Sequence, residues 1–184
     1  MWKEYFKQGR RLRLPIEDRA ILEDLKCGEL VLLDGWLLCG RDATHRRILT
    51  ELKKGFSFDF TNQFIYYVGP TPAPPGKVVG SVGPTTSGRM DSYMEEFLKL
   101  GLAGSMGKGK RSKKVVELLS KYKAVYLATF GGAGAFLSQF VLKVETIAWE
   151  ELGPEAFFRI KVKDFPAVVI NTTRGEDFYS KVNG

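Results

Sequence analysis

The chain is poor in the residues that build thiol and metal chemistry. It has one histidine, His45, and two cysteines, Cys27 and Cys39, among 184 residues. Cysteines at that spacing form neither a zinc ribbon nor a CxxC redox pair, and two are too few to staple a secreted scaffold, so both are expected as buried, reduced thiols. No HExxH, nucleophile elbow or cysteine cluster occurs, and no metal ligand set is assigned. No apolar run approaches the roughly 18 residues of a membrane span, and the opening stretch MWKEYFKQGRRLRLPI lacks the apolar segment of a signal peptide. A cytoplasmic location is therefore the expectation. GSMGKGKRSKK is not a P-loop, because GxxxxGK[ST] is absent, and the glycines of FGGAGAF do not match GxGxxG. Close helix packing is the role expected of those glycines. No internal repeat or low-complexity tract is present.

What remains is ordinary globular composition, with 44% hydrophobic and 27% charged residues, enough for one domain with a real core. The net charge of +7 is unevenly placed. Lys3, Lys7, Arg10, Arg11 and Arg13 face only Glu4 in the first fourteen residues, and seven cations between residues 108 and 123 face only Glu117. The rest of the chain is slightly acidic. So local a field suits a small anion or an acidic partner surface. A nucleic-acid binder would spread its cations along a face and interleave aromatics.

Patterning alternates helices with strands and predicts a single mixed α/β domain. PIEDRAILEDLKCG reads as a helix stopped by Gly28. ELVLLDGWLLCG reads as two short strands around an Asp34-Gly35 hairpin turn. RDATHRRILTELKKG reads as a helix with Asp42 as N-cap. FSFDFTNQFIYYVG reads as a strand, followed by the proline loop TPAPPG. Met90, Tyr93, Met94, Phe97 and Leu98 form a helical stripe. KKVVELLSKY is expected as a helix capped by Ser112, KAVYLATF as a buried strand, GGAGAFLSQF as a glycine turn entering a short helix, and the segment from Thr146 onward mainly as strands.

Three candidate constellations share one oddity. In GPTTSGRMD, Arg89 sits at a helix start, where unpaired N–H groups disfavour cations by about 0.3–1 kcal/mol and acids such as Asp91 fit better. A bound anion would remove the conflict. Thr85, Thr86 and Ser87 offer hydroxyls, and Gly83 and Gly88 allow close backbone approach. An N-cap beside a solvated arginine accounts for the same residues. In GKGKRSKK, Lys108 and four further cations crowd another helix start, and a solvated basic loop is the alternative. In RDATH, Arg41 and Asp42 stand where a strand becomes a helix, with His45 one turn on, a lone histidine that a structural role would also explain. Arg41, Arg89 and Lys108 together could grip a small dicarboxylate through charge-assisted bonds.

In the order of the chain, GRDATHRRI, FIYYVGPTPAPPGKVVGSVGPTTSGRMDSY, GKGKRS and FGGAGAFLSQ closely resemble the beta subunit of class I fumarate hydratases and of the related L-tartrate dehydratases. The resemblance runs from about Leu14 to Tyr179. It implies a swivelling β/β/α domain over residues 15–184, preceded by a basic extension, residues 1–14. It further implies an alpha subunit or domain that holds a 4Fe-4S cluster through three cysteines, leaving one iron open as Lewis acid. This chain would then be a beta subunit, active only with that partner on a small dicarboxylate, and binding no cluster alone. Residue by residue, Thr85 resembles the base that takes the C3 proton of malate, and Thr86 a substrate ligand beside it. Arg41, Arg89 and Lys108 resemble the cations that hold the carboxylates. Asp42 and His45 match motif positions that orient Arg41 or line the domain interface. Fumarate hydration and tartrate dehydration both fit this pattern, and a non-enzymatic anion- or nucleic-acid-binding module is the reading from another class.

Overall fold

The computed structural model describes residue 4 and residues 6–183. Seven strands among them carry the fold: β1 (Arg10–Leu14), β2 (Leu30–Cys39), β3 (Phe64–Tyr66), β4 (Gly104–Gly107), β5 (Val125–Ala128), β6 (Val141–Ala148) and β7 (Phe157–Asn171). Between them lie α1 (Ala20–Glu23), α2 (Asp42–Leu52), α3 (Met94–Lys99), α4 (Lys113–Lys121), α5 (Gly134–Leu137) and α6 (Phe178–Val182), with 3-10 segments at Ser87–Tyr93, Ser138–Phe140 and Glu150–Glu155. The mixed α/β domain expected from patterning is what forms.

Strands β1 to β5 run parallel in that order, and β7 is antiparallel to both β5 and β2. The ladder β2-β3-β4-β5-β7 therefore returns to β2 and closes, while β1 and β6 flank it. Alternation sorts the side chains into two cores, because successive residues of a strand point to opposite faces. Leu37, Cys39, Phe64, Tyr66, Met106, Val125 and Leu127 share the first core, whereas Leu38, Ile65 and Tyr126 join the second with residues of α2, α3 and α4. On α4, Val115, Leu118 and Leu119 supply the buried stripe, each contributing about 1.5–3 kcal/mol relative to exposure. Ser112 caps that helix as expected, accepting the Val115 N–H at 3.2 Å.

Several sequence expectations are corrected. Asp34-Gly35 is no hairpin turn, since β2 is a single ten-residue strand. Gly35 sits at φ +112°, and a Cβ there would stand 2.2 Å from the Leu14 carbonyl of β1, so the glycine permits strand approach. The helix expected over residues 15–28 shrinks to the single turn α1. In FSFDFTNQFIYYVG only Phe64–Tyr66 pairs as strand, and Phe56, Phe58 and Phe60 instead pack through their rings on Trp149 and Phe157. The end of the basic extension is β1, with Leu12 and Leu14 buried, while Arg10 pairs with Glu29, and Arg11 with Asp34 and Asp164. Residues 1–3 and 5 of that extension lie outside the described residues. Cys39 is sealed in the core and Cys27 is half-buried, both free.

Register positions the site. Cys39 pairs Tyr66, Tyr66 pairs Met106, and Met106 pairs Leu127. The C-terminal ends of four adjacent parallel strands are thus level, and the segments leaving them, Gly40-Arg41, Tyr67-Val68-Gly69, Lys108 and Thr129, emerge along one edge. In α/β sheets that edge is where ligands bind.

Candidate active site

The GPTTSGRMD segment is laid along that edge by backbone bonds. Tyr66 donates its hydroxyl to the Val82 carbonyl, the Thr85 N–H donates to the Tyr67 carbonyl at 2.7 Å, the Lys108 N–H to the Thr85 carbonyl at 3.2 Å, and the Ser87 N–H to the Lys108 carbonyl at 2.9 Å. Thr86 and Lys108 consequently form a parallel bridge. The close approach needed for this falls at Gly107. A Cβ there would stand 2.1 Å from the Ser87 hydroxyl and 2.9 Å from the Thr85 carbonyl, whereas at Gly83 and Gly88 it would meet its nearest neighbours at 3.4 and 3.6 Å. The glycine loop of FGGAGAF closes over the same place. Gly134 abuts Ser81 and Gly83, and Gly131 lies against the Lys108 side chain. The hydroxyls of Thr85 and Thr86 have no hydrogen bond to any other described residue, and Lys108, exposed, has no ion pair among them.

The arginines are differently placed. Arg41 is the residue preceding α2, so Asp42 is the first helical residue and not the N-cap. The Arg41 guanidinium lies across Gly69 and pairs with Glu155. That pair is incomplete, since Arg41 Nε and Glu155 Oε2 are buried without partners. Arg89 pairs with Asp42. The segment holding Arg89 is a 3-10 turn, with the α-helix starting only at Met94. Carboxylates of the chain itself thus answer both helix-start cations, an explanation that sequence reasoning did not weigh.

The largest departure concerns Arg111, read in sequence as one more loop cation. Its side chain is fully buried. Nε donates to Asp91 Oδ1 at 2.6 Å, and Nη1 donates to the Tyr67 hydroxyl and the Ser105 hydroxyl, both at 3.0 Å. The guanidinium carbon lies 5.2 and 4.9 Å from the ring centres of Tyr67 and Tyr126. Asp91, read as a helix-start acid, spends its other oxygen on the Ser112 N–H at 2.8 Å. The Tyr126 hydroxyl donates to the Gly109 carbonyl at 2.7 Å and shares a bond with the Ser87 hydroxyl at 2.8 Å. Nothing in the local sequence marks Arg111 apart from Lys110 or Lys113, because its partners lie 6 to 44 residues away. The exposed basic face is smaller than the sequence count by this residue.

His45 is 2% exposed, packed between the rings of Tyr67, Tyr93 and Phe97 at 4.9–5.6 Å. Its Nδ1–H donates to the Arg41 carbonyl at 2.7 Å. Burial above all lowers its pKa to about 4, so it is neutral at pH 7. The imidazole supports the Arg41 turn from inside the core.

Cavities of about 790, 360, 320 and 290 Å3 open elsewhere on the chain, and none is lined by Thr85, Thr86, Arg89 or Lys108. The family model described as "Fumarase C-terminus" matches residues 2–182.

The chain belongs to the fumarase C-terminus family.

Among its relatives are "Fumarate hydratase 2" of Leishmania major, 40% identical over 177 residues, which cover 92% of this chain and 31% of that protein. "Fumarate hydratase class I, aerobic" of Escherichia coli (strain K12) is 38% identical over 82% of this chain and 28% of its own length. "Putative L(+)-tartrate dehydratase subunit beta" of Methanocaldococcus jannaschii is 36% identical over 88% of this chain and 87% of its own. The chain thus spans less than a third of the two fumarate hydratases and most of the tartrate dehydratase subunit.

Proposed function

We propose that the chain is the beta subunit of an iron-sulfur-dependent hydro-lyase that interconverts fumarate and malate, working only in complex with an alpha subunit. The observation that carries this reading is the Thr86–Lys108 bridge, which brings the backbone of two threonines with unspent hydroxyls against that of an unpaired lysine on the sheet edge. The names of its relatives support the reaction class.

Residues of this chain do not fit a cluster. No group of three or more His, Cys, Asp or Glu among the described residues could hold a metal, Cys39 is sealed in the core with its thiol pushed up by burial, and the half-buried Cys27 bonds the Ile170 carbonyl at 3.3 Å. On the proposed reading the 4Fe-4S cluster belongs to the alpha subunit.

The chain's own contribution is charge and a proton acceptor. Removing a proton beside a carboxylate builds negative charge on that carboxylate, so Arg41, Arg89 and Lys108 around it stabilise the transition state more than the ground state. Thr85 is the proposed base, with Thr86 a substrate ligand. An alkoxide at Thr85 requires neighbouring positive charge, and Lys108, whose backbone N–H bonds the Thr85 carbonyl, is the cation proposed to supply it. Asp42 holds Arg89, Asp91 accepts the Ser112 N–H at the start of α4, and His45 supports the Arg41 carbonyl.

A second reading, dehydration of L-tartrate to oxaloacetate, is favoured by the match along 87% of a tartrate dehydratase beta subunit. Anaerobic assay of the chain with a cluster-bearing alpha subunit, on fumarate and on L-tartrate, separates the two. Turnover of one substrate by the complex and none by the chain alone is expected, and Thr85→Ala should lower kcat about 100- to 10,000-fold, the usual worth of a positioned base. A complex that converts neither substrate would overturn the function, and a Thr85→Ala complex with near-normal kcat would overturn the base.

A further inference from the structure

Arg111 is a charged residue that the proposed chemistry leaves without a task, yet it is buried at a cost of several kcal/mol before its bonds are counted. A core that needed only volume at this point would be served by a methionine or leucine. Its bonds show what the charge is for. Each leads to a group that touches a segment of the candidate site: Asp91 ends the GPTTSGRMD turn, Ser105 lies two residues before Gly107, and Tyr67 accepts the Thr85 N–H on its carbonyl. The Tyr126 ring carries the guanidinium on its face, and the Tyr126 hydroxyl holds both Ser87 and Gly109.

Lys108 stands between Gly107 and Gly109, the latter at φ +84°. A lysine flanked by glycines sits on the backbone with the most freedom available to a chain. Only two backbone bonds, at 3.2 and 2.9 Å, tie it directly to Thr85 and Ser87. The arginine fork is planar, so donating to Asp91 on one side and to Tyr67 and Ser105 on the other defines its position, and through Asp91 and Ser112 that of the loop.

We propose that Arg111, together with Tyr126, is a positioning residue that holds Lys108 in register with Thr85 and Thr86. This rests on the role given to those residues above. A displacement of about 1 Å in such a constellation can cost about 100-fold in rate, so the brace sets turnover without touching substrate.

The test uses the full chain and its complex with the alpha subunit. R111K keeps the charge but loses the fork and the ring stacking, while Y126F removes one hydroxyl and leaves volume intact, which keeps the question open if R111K does not fold. Amide hydrogen exchange on the full chain should rise at least about tenfold at Lys108 and Ser87 in both variants, with the strand amides of Ile65 and Leu127 within twofold of the parent. In the complex, kcat should fall about 10- to 100-fold with a smaller change in KM. Exchange that rises equally across the sheet, or kcat within twofold of the parent in a folded variant, would overturn the proposal. If the parent complex turns over neither fumarate nor tartrate, the function falls, and exchange at Lys108 still decides whether Arg111 holds the loop.

Discussion

Acidification from pH 7.5 to 5 is expected to destabilise the protein through one side chain. His45 is the only histidine in the sequence, and burial first, then the Arg111 charge, lower its pKa from 6.5 to about 4, against upward pulls from the Arg41 carbonyl and Asp42. The unfolded chain takes up the proton near pH 6.5 and the folded chain only near 4. Between those values the unfolded state binds more protons, so stability falls as pH falls. Above 6.5 the contribution is fully present, and below about 4 both states are protonated and the loss is complete. The whole difference corresponds to about 3 kcal/mol, and the part between pH 7.5 and 5 to about 2 kcal/mol. Asp59, Glu145 and Glu176 titrate lower than usual, chiefly through bonds from the Thr61 N–H, Lys143 and Lys181, while burial pushes the Cys27 and Cys39 thiols up. Urea denaturation of the parent and of His45→Gln at pH 5, 6, 7 and 7.5 checks this. A slope approaching 1.4 kcal/mol per pH unit, about one proton, is expected for the parent between pH 6 and 5 and a flat profile for the variant. A loss below about 0.5 kcal/mol in the parent, or an equal loss in both proteins, would refute the buried neutral imidazole.

Gly107→Ala places a Cβ against the Ser87 hydroxyl and the Thr85 carbonyl, so urea midpoints should show a loss of about 1–3 kcal/mol, as for overpacking, with Gly88→Ala nearly neutral as control. Glu155→Gln removes the charge that competes for Arg41. In the active complex KM for the dicarboxylate should fall several-fold with kcat unchanged, and steady-state kinetics showing a raised KM would contradict the exchange of partners at Arg41.

The fold class was legible because strand and helix periods differ, and the long apolar alternations of β5, β7 and the stripe on α4 survive in the structure. What failed were boundaries set by partners distant in sequence. Asp34-Gly35 looks like a turn only until β1 is placed beside it, since the glycine answers to the Leu14 carbonyl. Strand β7 shows the converse. Ile160 and Val162 face the first core at even positions, Phe165, Ala167 and Val169 at odd ones, and a bulge with Asp164 at φ 57° switches the phase. The pattern IKVKDFPAVV contains that switch, but its cause, the Asp164 N–H donating to Asp34 at 2.8 Å, lies 130 residues away. At the candidate site, the motifs and the family resemblance single out Arg41, Thr85, Arg89 and Lys108 as candidates, and nothing in the sequence separates Arg111 from the other loop cations, because its burial exists only after folding.

The cations themselves show why an anomaly in sequence is an incomplete argument for a ligand. Three arginines at or near helix starts required anions, and the fold provides Glu155 for Arg41, Asp42 for Arg89 and Asp91 for Arg111. Only in the last of these pairs is the arginine sealed in the core. In the other two both side chains are partly exposed, and the Arg41–Glu155 pair leaves one donor and one acceptor unused. On the proposed function, a substrate carboxylate would enter by exchange, taking the place of a chemically equivalent group on a fork already held in position. The gain from such an exchange is the difference between two similar pairs, which is small. Lys108, which surrenders no partner, then contributes its interaction undiminished. Discrimination between bound and free states would rest on that one lysine, and it is Lys108 that the buried Arg111 network holds in place.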